Sequence, residues 1–299
     1  MSCKITAPTL LINFPNLSRA KGQLLTALIL VALAAFRKIS PHSLPKQNLQ
    51  FFKVNIEEMY NDDEYQLILR NPVNCPNRFF LTCEESSVNT LLKEFSPVLL
   101  EAKKDTTITI KGHGDLKNKI QIKLKLGDPN IPLQTTTVLK SLPFPKGKSY
   151  KLLQGNNSGP THNSNLSRYA FDFTMSTGDT VTSTQNGYVV GVIDGYEGWG
   201  HSDKWKPYAN QVMIYDASTH LFTMYGHLKQ NSSMVEVGEF ITMGQPIALS
   251  GQTGQASEEH LHFNVLQADD SKGGLKSYPL DSIGNYKVNK LKRYQTMSN

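Results

Sequence analysis

The feature that most constrains this chain is a period of two. In TTITIKG, residues 106–112, and KIQIKLKLG, residues 119–127, apolar and polar side chains alternate. Ile108 and Ile110 share one strand face, and Ile120, Ile122, Leu124 and Leu126 share another. QFFKVNI (50–56), EYQLILRN (64–71) and RFFLTCE (78–84) read as further short strands, so the first half is expected to form a small antiparallel β-sandwich. The second half repeats the signal in YAFDF, TVTS, GYVVGVI, NQVMIYD, LFTMYGHL, PIALSG and HLHFNV, punctuated by glycines and without a helical pattern. The expected fold is all-β throughout.

A chain of 299 residues, 39% hydrophobic and 19% charged, can bury two cores. Proline and glycine cluster in DPNIPLQ and SLPFPKGKSY and mark a break. The expected layout is a leader over 1–36, a β-rich accessory domain over 37–130, a linker over 131–150, a second domain over 151–275 and a polar basic tail over 276–299. The net charge of +6 comes from scattered lysines without aromatic interleaving, a solvated surface rather than a nucleic-acid footprint.

LLTALILVALAAF, residues 24–36, is an uncharged apolar run preceded by Arg19 and Lys21. Thirteen residues fall short of the roughly 20 that span a bilayer and suit the core of a signal peptide, with Ala32 and Ala34 as small residues for cleavage. An uncleaved short membrane anchor is the other reading. Either way the chain is expected to be exported, to a periplasm or cell envelope. Cys75 and Cys83 could bridge in such a compartment or remain two reduced core thiols.

Six of the eight histidines fall in the second half, at 162, 201, 220, 227, 260 and 262. His260 and His262 are two apart on a strand, so both rings face one side while Leu261 and Phe263 face the other. By itself that pattern also fits two histidines on a polar face. Asp172 interrupts the aromatic strand YAFDF, and a carboxylate between Phe171 and Phe173 is costly to desolvate without a cation or hydrogen bonds. His227 ends another apolar run. A catalytic zinc site needs three ligands from His, Asp, Glu or Cys and an open position.

YAFDFTMSTGDTVTSTQNGYVVGV, then YGHL, then VEVGEFITMGQPIALSGQTGQASEEHLHF, together spanning about residues 160–266, resemble the lysostaphin-like (LytM-type) zinc endopeptidases that cut peptidoglycan peptide bridges. The resemblance implies an antiparallel β-sheet peptidase domain, one zinc ion per chain, Asp172 and His262 as metal ligands, and His227 and His260 as catalytic residues. Asn210 lies where the family often places a residue near the site; His201, with Asp203, Trp199 and Trp205, lies on a loop that could line the groove. Both Asn210 and His201 are expected to contact substrate. His220 reads as exposed.

The departure is at the first ligand. The family places a histidine four residues before the aspartate, and here that residue is Arg168. Three readings stand: His162, ten residues before Asp172, reaches in from a longer loop; the metal has two protein ligands; or the domain is degenerate and binds peptidoglycan or activates another wall hydrolase. The first is favoured because Asp172, His227, His260 and His262 all remain, and because relatives with an R-Y-A-x-D-F strand tend to carry such an upstream histidine. The expected partners are peptidoglycan peptide bridges, with no nucleic acid, membrane contact only through the apolar leader, and a monomeric chain.

Overall fold

A computed structural model describes residues 43–133 and 137–299. The leader at 24–36 lies outside the described residues. The architecture is nearly all antiparallel β, as the alternation requires.

The first part holds two three-stranded sheets. In one, Glu64–Arg70 lies between Ile56–Asn61 and Asp105–Lys111; in the other, Asn77–Cys83 lies between Val98–Leu100 and Ile120–Leu126. Tyr65, Leu67, Leu69, Phe79, Leu81, Ile108 and Ile110 meet in their shared core. Each such side chain removed from water contributes about 1.5–3 kcal/mol. One helix, Ser86–Phe95, packs through Val88 and Leu92, a single i, i+4 pair too short to register as a periodic pattern.

The run 50–56 is not the strand its composition suggests; the strand begins at Ile56. Phe51 instead lies against Gly191, where a Cβ would come within 2.3 Å of its ring, and its carbonyl accepts the Val192 N–H. Tertiary packing overrides local propensity here. Cys75 and Cys83 are separate thiols. The extended strand Asn77–Cys83 lies between them and at about 3.3 Å per residue holds them well beyond bridging distance.

The second part is built on a large sheet. Its strand order is Phe240–Ile241, Gly187–Ile193, Gln211–Asp216, Leu221–Gly226, Leu261–Ala268, Phe171–Phe173, Ser149–Gln154 and Thr296–Ser298, with Leu275–Ser277 also paired to Leu261–Ala268. Phe171, Phe173, Tyr225, Leu261, Phe263 and Val265 point into one core. Period two therefore sends Asp172, His262 and Asn264 to the opposite face.

Residues 131–150, read from composition as a linker, place Leu139, Leu142 and Phe144 in that core. The polar tail is likewise packed: Ile283 and Met297 are fully buried and Thr296–Ser298 pairs with the Ser149–Gln154 strand. Isolated apolar residues in a polar segment suffice when each meets a prepared pocket. A third core joins the two parts, with Val73, Cys75 and Leu126 against Val190, Met213, Phe222 and Leu266. Arg78 reinforces it. Its buried guanidinium donates to the carbonyls of Leu126, Gly127, Asp269 and Gly274 and pairs with Asp270 at 2.9 Å.

Candidate metal centre

Strand register brings the first two site residues together. His262 is the cross-strand partner of Asp172, and Gly226, just before His227, is the partner of His262 on the other side. Directly opposed residues have their Cβ atoms about 4.5–5.5 Å apart. His262 Nδ1 lies 2.9 Å from Asp172 Oδ1.

His162 arrives from the loop that follows the neighbouring strand. It is fully buried, its Nδ1 is 2.9 Å from the Gly155 carbonyl oxygen, and its Nε2 is 3.1 Å from Asp172 Oδ2. Ligand atoms of His162, Asp172 and His262 all lie within 4.8 Å of one another. Arg168 is exposed and holds the loop only through its backbone, accepting from Asn157 N and donating to Ser164 O.

The chemistry of His162 bears on a cation. Both ring nitrogens face oxygen acceptors, yet a neutral imidazole has one N–H. With that N–H donated to Gly155, a bare Nε2 lone pair faces the carboxylate, and this buried nitrogen indeed has no hydrogen-bond partner. A proton on Nε2 relieves the repulsion in the metal-free chain, and a metal ion shared by the two groups relieves it equally; a carbonyl acceptor behind a ligating imidazole is the usual support for such an ion. Two imidazoles and one carboxylate are a donor set suited to catalytic zinc. The residues fit.

Electrostatics follow from burial and contacts. Burial alone would raise the Asp172 carboxyl, but the close His162 and His262 imidazoles hold it far below the usual carboxylate range. Burial lowers the His162 imidazole, and the Asp172 contact outweighs it, leaving a net rise.

His227 and His260 stand next to this group. Their ring centroids are 4.5 Å apart, and His227 is 5.9 Å from His262. His227 Nδ1 lies 2.7 Å from Thr253 O, and His260 Nδ1 lies 2.9 Å from Glu258 O. His227 has φ of 59°, in the left-handed region that a histidine enters at some cost and that recurs at functional positions. Burial first, then the neighbouring His260 and His262, push its pKa down to about 3. It is neutral at ordinary pH.

The two residues assigned to substrate part company. His201 is exposed, edge-on to the Trp199 ring at 5.4 Å, on a loop whose Trp199–Gly200 strand pairs with Gly254–Gln255. Asn210 is fully buried. Its amide accepts from Tyr196 N and donates to Tyr196 O and Leu228 O, while its backbone N–H donates to Thr253 Oγ1. It joins three loops and supports Thr253, the residue whose carbonyl holds His227. His220 is half-buried, its Nδ1 2.9 Å from the Tyr215 hydroxyl. Sequence reasoning missed Gly155, Thr253 and Glu258, because backbone carbonyls leave no mark in a motif.

Comparison with known proteins agrees with the motifs. Residues 167–273 match the model of Peptidase family M23, so the resemblance holds for this segment, and His162 lies just ahead of it. The chain is 30% identical over 112 residues to the peptidoglycan DD-endopeptidase ShyB of Vibrio cholerae serotype O1, covering 38% of this chain and 21% of that protein. It is 27% identical over 127 residues to an uncharacterized metalloprotease of Buchnera aphidicola subsp. Baizongia pistaciae, covering 42% of this chain and 30% of that one. The chain thus spans under a third of the length of either relative. Among solved structures it is similar to the antimicrobial peptidase lysostaphin from Staphylococcus simulans, with a TM-score of 0.32 and 26% identity over 43% of this chain and 47% of that one. It is also similar to a zinc containing peptidase from Vibrio cholerae, with a TM-score of 0.32 and 19% identity over 71% and 82% of the two chains.

Proposed function

We propose that this chain, whose residues 167–273 match Peptidase family M23, is an exported zinc endopeptidase that hydrolyses peptide cross-links of bacterial peptidoglycan. The observation that carries the reading is the meeting of His162 Nε2, Asp172 and His262 around one point, with the His162 nitrogen buried and unpartnered. The substrate class is taken from the relative that is a peptidoglycan DD-endopeptidase, and export from the apolar leader.

His162, Asp172 and His262 would hold the metal. Bound zinc supplies Lewis acidity for the scissile carbonyl and a lower pKa for water. The remaining work falls to the chain. With Nδ1–H donated to Thr253, His227 keeps an Nε2 lone pair that can receive a proton from the attacking water. His260, anchored in the same way on Glu258, is the second imidazole; protonated, it donates to the developing oxyanion or the leaving amine. The reaction is direct attack of water on an amide with no covalent intermediate. His201 stands on the loop flanking the site and is proposed to contact substrate.

The test is purified protein with defined cross-linked muropeptides, with and without chelator, read by mass spectrometry. Cleavage that the chelator stops and zinc restores supports the reading. Absence of cleavage by zinc-loaded protein, or cleavage indifferent to chelator, overturns it in favour of a silent peptidoglycan-binding or activating module.

A further inference from the structure

The loop that delivers His162 has little to hold it in place by burial. Between His162 and Ala170 no side chain is buried: Asn163, Ser164, Asn165, Leu166 and Arg168 are exposed, and Ser167 and Tyr169 are half-buried. Leu166, its one aliphatic residue, is 46% exposed. Something polar must fix the position of the imidazole.

Two buried polar side chains do so from the sheet. Asn264 follows His260 and His262 at the same two-residue interval, so all three project from one face of their strand. It is fully buried; its Nδ2 donates to Leu166 O at 2.5 Å, and its Oδ1 accepts from Ser277 Oγ at 2.8 Å. Ser277, 5% exposed and paired with Leu266 on the adjoining strand, donates its backbone N–H to Asn165 O at 2.7 Å. Its Oγ accepts from Tyr169 N at 2.9 Å. The strand that bears His262 and its neighbour thus grip the loop at 165, 166 and 169, close to where a dedicated histidine would otherwise sit at 168.

We propose that Asn264 and Ser277 are positioning residues that compensate for the displaced first ligand, holding the 162–170 loop so that His162 meets Asp172 and His262. This rests on the metal site proposed above. Neither residue touches the ion; each acts through the loop backbone.

The experiment titrates metal-free full-length protein with zinc against a competing chelator, for wild type, Ser277→Ala, Ser277→Thr, His162→Ala and the His162→Ala/Ser277→Ala pair. Ser277→Ala is expected to weaken zinc binding by about 10–100-fold, the usual effect of removing support behind a ligand. Ser277→Thr, which keeps the hydroxyl, is expected to restore most of it. In the His162→Ala background the serine substitution is expected to have no further effect, because its route to the metal is gone. Amide exchange of the metal-free protein is expected to show protection lost over 162–170 in Ser277→Ala. Equal weakening with and without His162 would reveal a general structural role and overturn the proposal. So would unchanged zinc binding in Ser277→Ala while wild type binds. Wild-type protein that takes no zinc overturns the metal site itself, and this clamp with it.

Discussion

Asp172 and His262 sit directly opposite one another on adjacent antiparallel strands, with His262 Nδ1 2.9 Å from Asp172 Oδ1. Two of three candidate ligands are therefore fixed by sheet register, and a slip of one residue in either strand would send its ligand toward the aromatic core. The third, His162, depends on a loop.

Zinc content should follow that division of labour. Wild type is expected to hold about one zinc per chain after chelator-free purification. Asp172→Ala, His262→Ala and His162→Ala each remove a first ligand and should weaken binding by more than the roughly 10–100-fold seen for outer partners. Arg168→Ala should leave the metal in place. Elemental analysis decides; zinc retained by His162→Ala would refute the ligand set.

His227→Ala and His260→Ala should separate chemistry from metal binding. Both are expected to keep zinc and to lose about 10²- to 10⁴-fold in kcat on a cross-linked muropeptide, the range for removing a general acid or base. Loss of zinc in either variant would place that imidazole among the ligands instead.

Acid should destabilise the metal-free protein partly through His227. Burial lowers its folded pKa to about 3 from an ordinary value of 6.5, so between those values the unfolded chain binds the extra proton. Stability therefore falls as pH drops from about 6.5 toward 3. The depressed Asp172 carboxyl works in the same direction in acid, while His162, whose pKa is raised, opposes it near neutrality. Comparison with His227→Gln isolates the contribution: its melting temperature should decline less steeply over this range, and parallel curves would refute the assignment.

The Arg78 contact should be asymmetric. Arg78 is 3% exposed and Asp270 is 83% exposed. Arg78→Ala removes the guanidinium donor from the buried carbonyls of Leu126 and Gly127 and one of two donors from that of Gly274, and should cost about 2–4 kcal/mol. Asp270→Ala removes a partner that water already screens and should cost less than about 1 kcal/mol. Chemical denaturation of both variants measures the difference.

Much of the site was legible in the sequence because strands carry their geometry openly. Two histidines at i and i+2, and an aspartate between phenylalanines, declare a shared face before any coordinates exist. The place of His162 beside Asp172 was harder to see, since a loop has no period and spacing alone pointed to Arg168. Asn264 could have been found by extending the H-x-H interval one step. Asn210 misled because a buried amide joining three loops looks, as a letter in a motif, no different from one that greets a ligand. In the fold, the strand alternation was readable, whereas Leu142, Phe144 and Met297 lie among polar neighbours and reveal their burial only in three dimensions.

The buried Arg78 guanidinium also bears on how such a protein could be remodelled. A module attached only by a tether can be swapped, lost or duplicated with little penalty to its neighbour. Here the front half lodges a positive charge among main-chain oxygens contributed by both halves, so excising it would expose apolar surface and strand acceptors in a turn it does not own. Recombination at the proline-rich stretch, inviting as it looks, would yield two damaged pieces rather than two working ones.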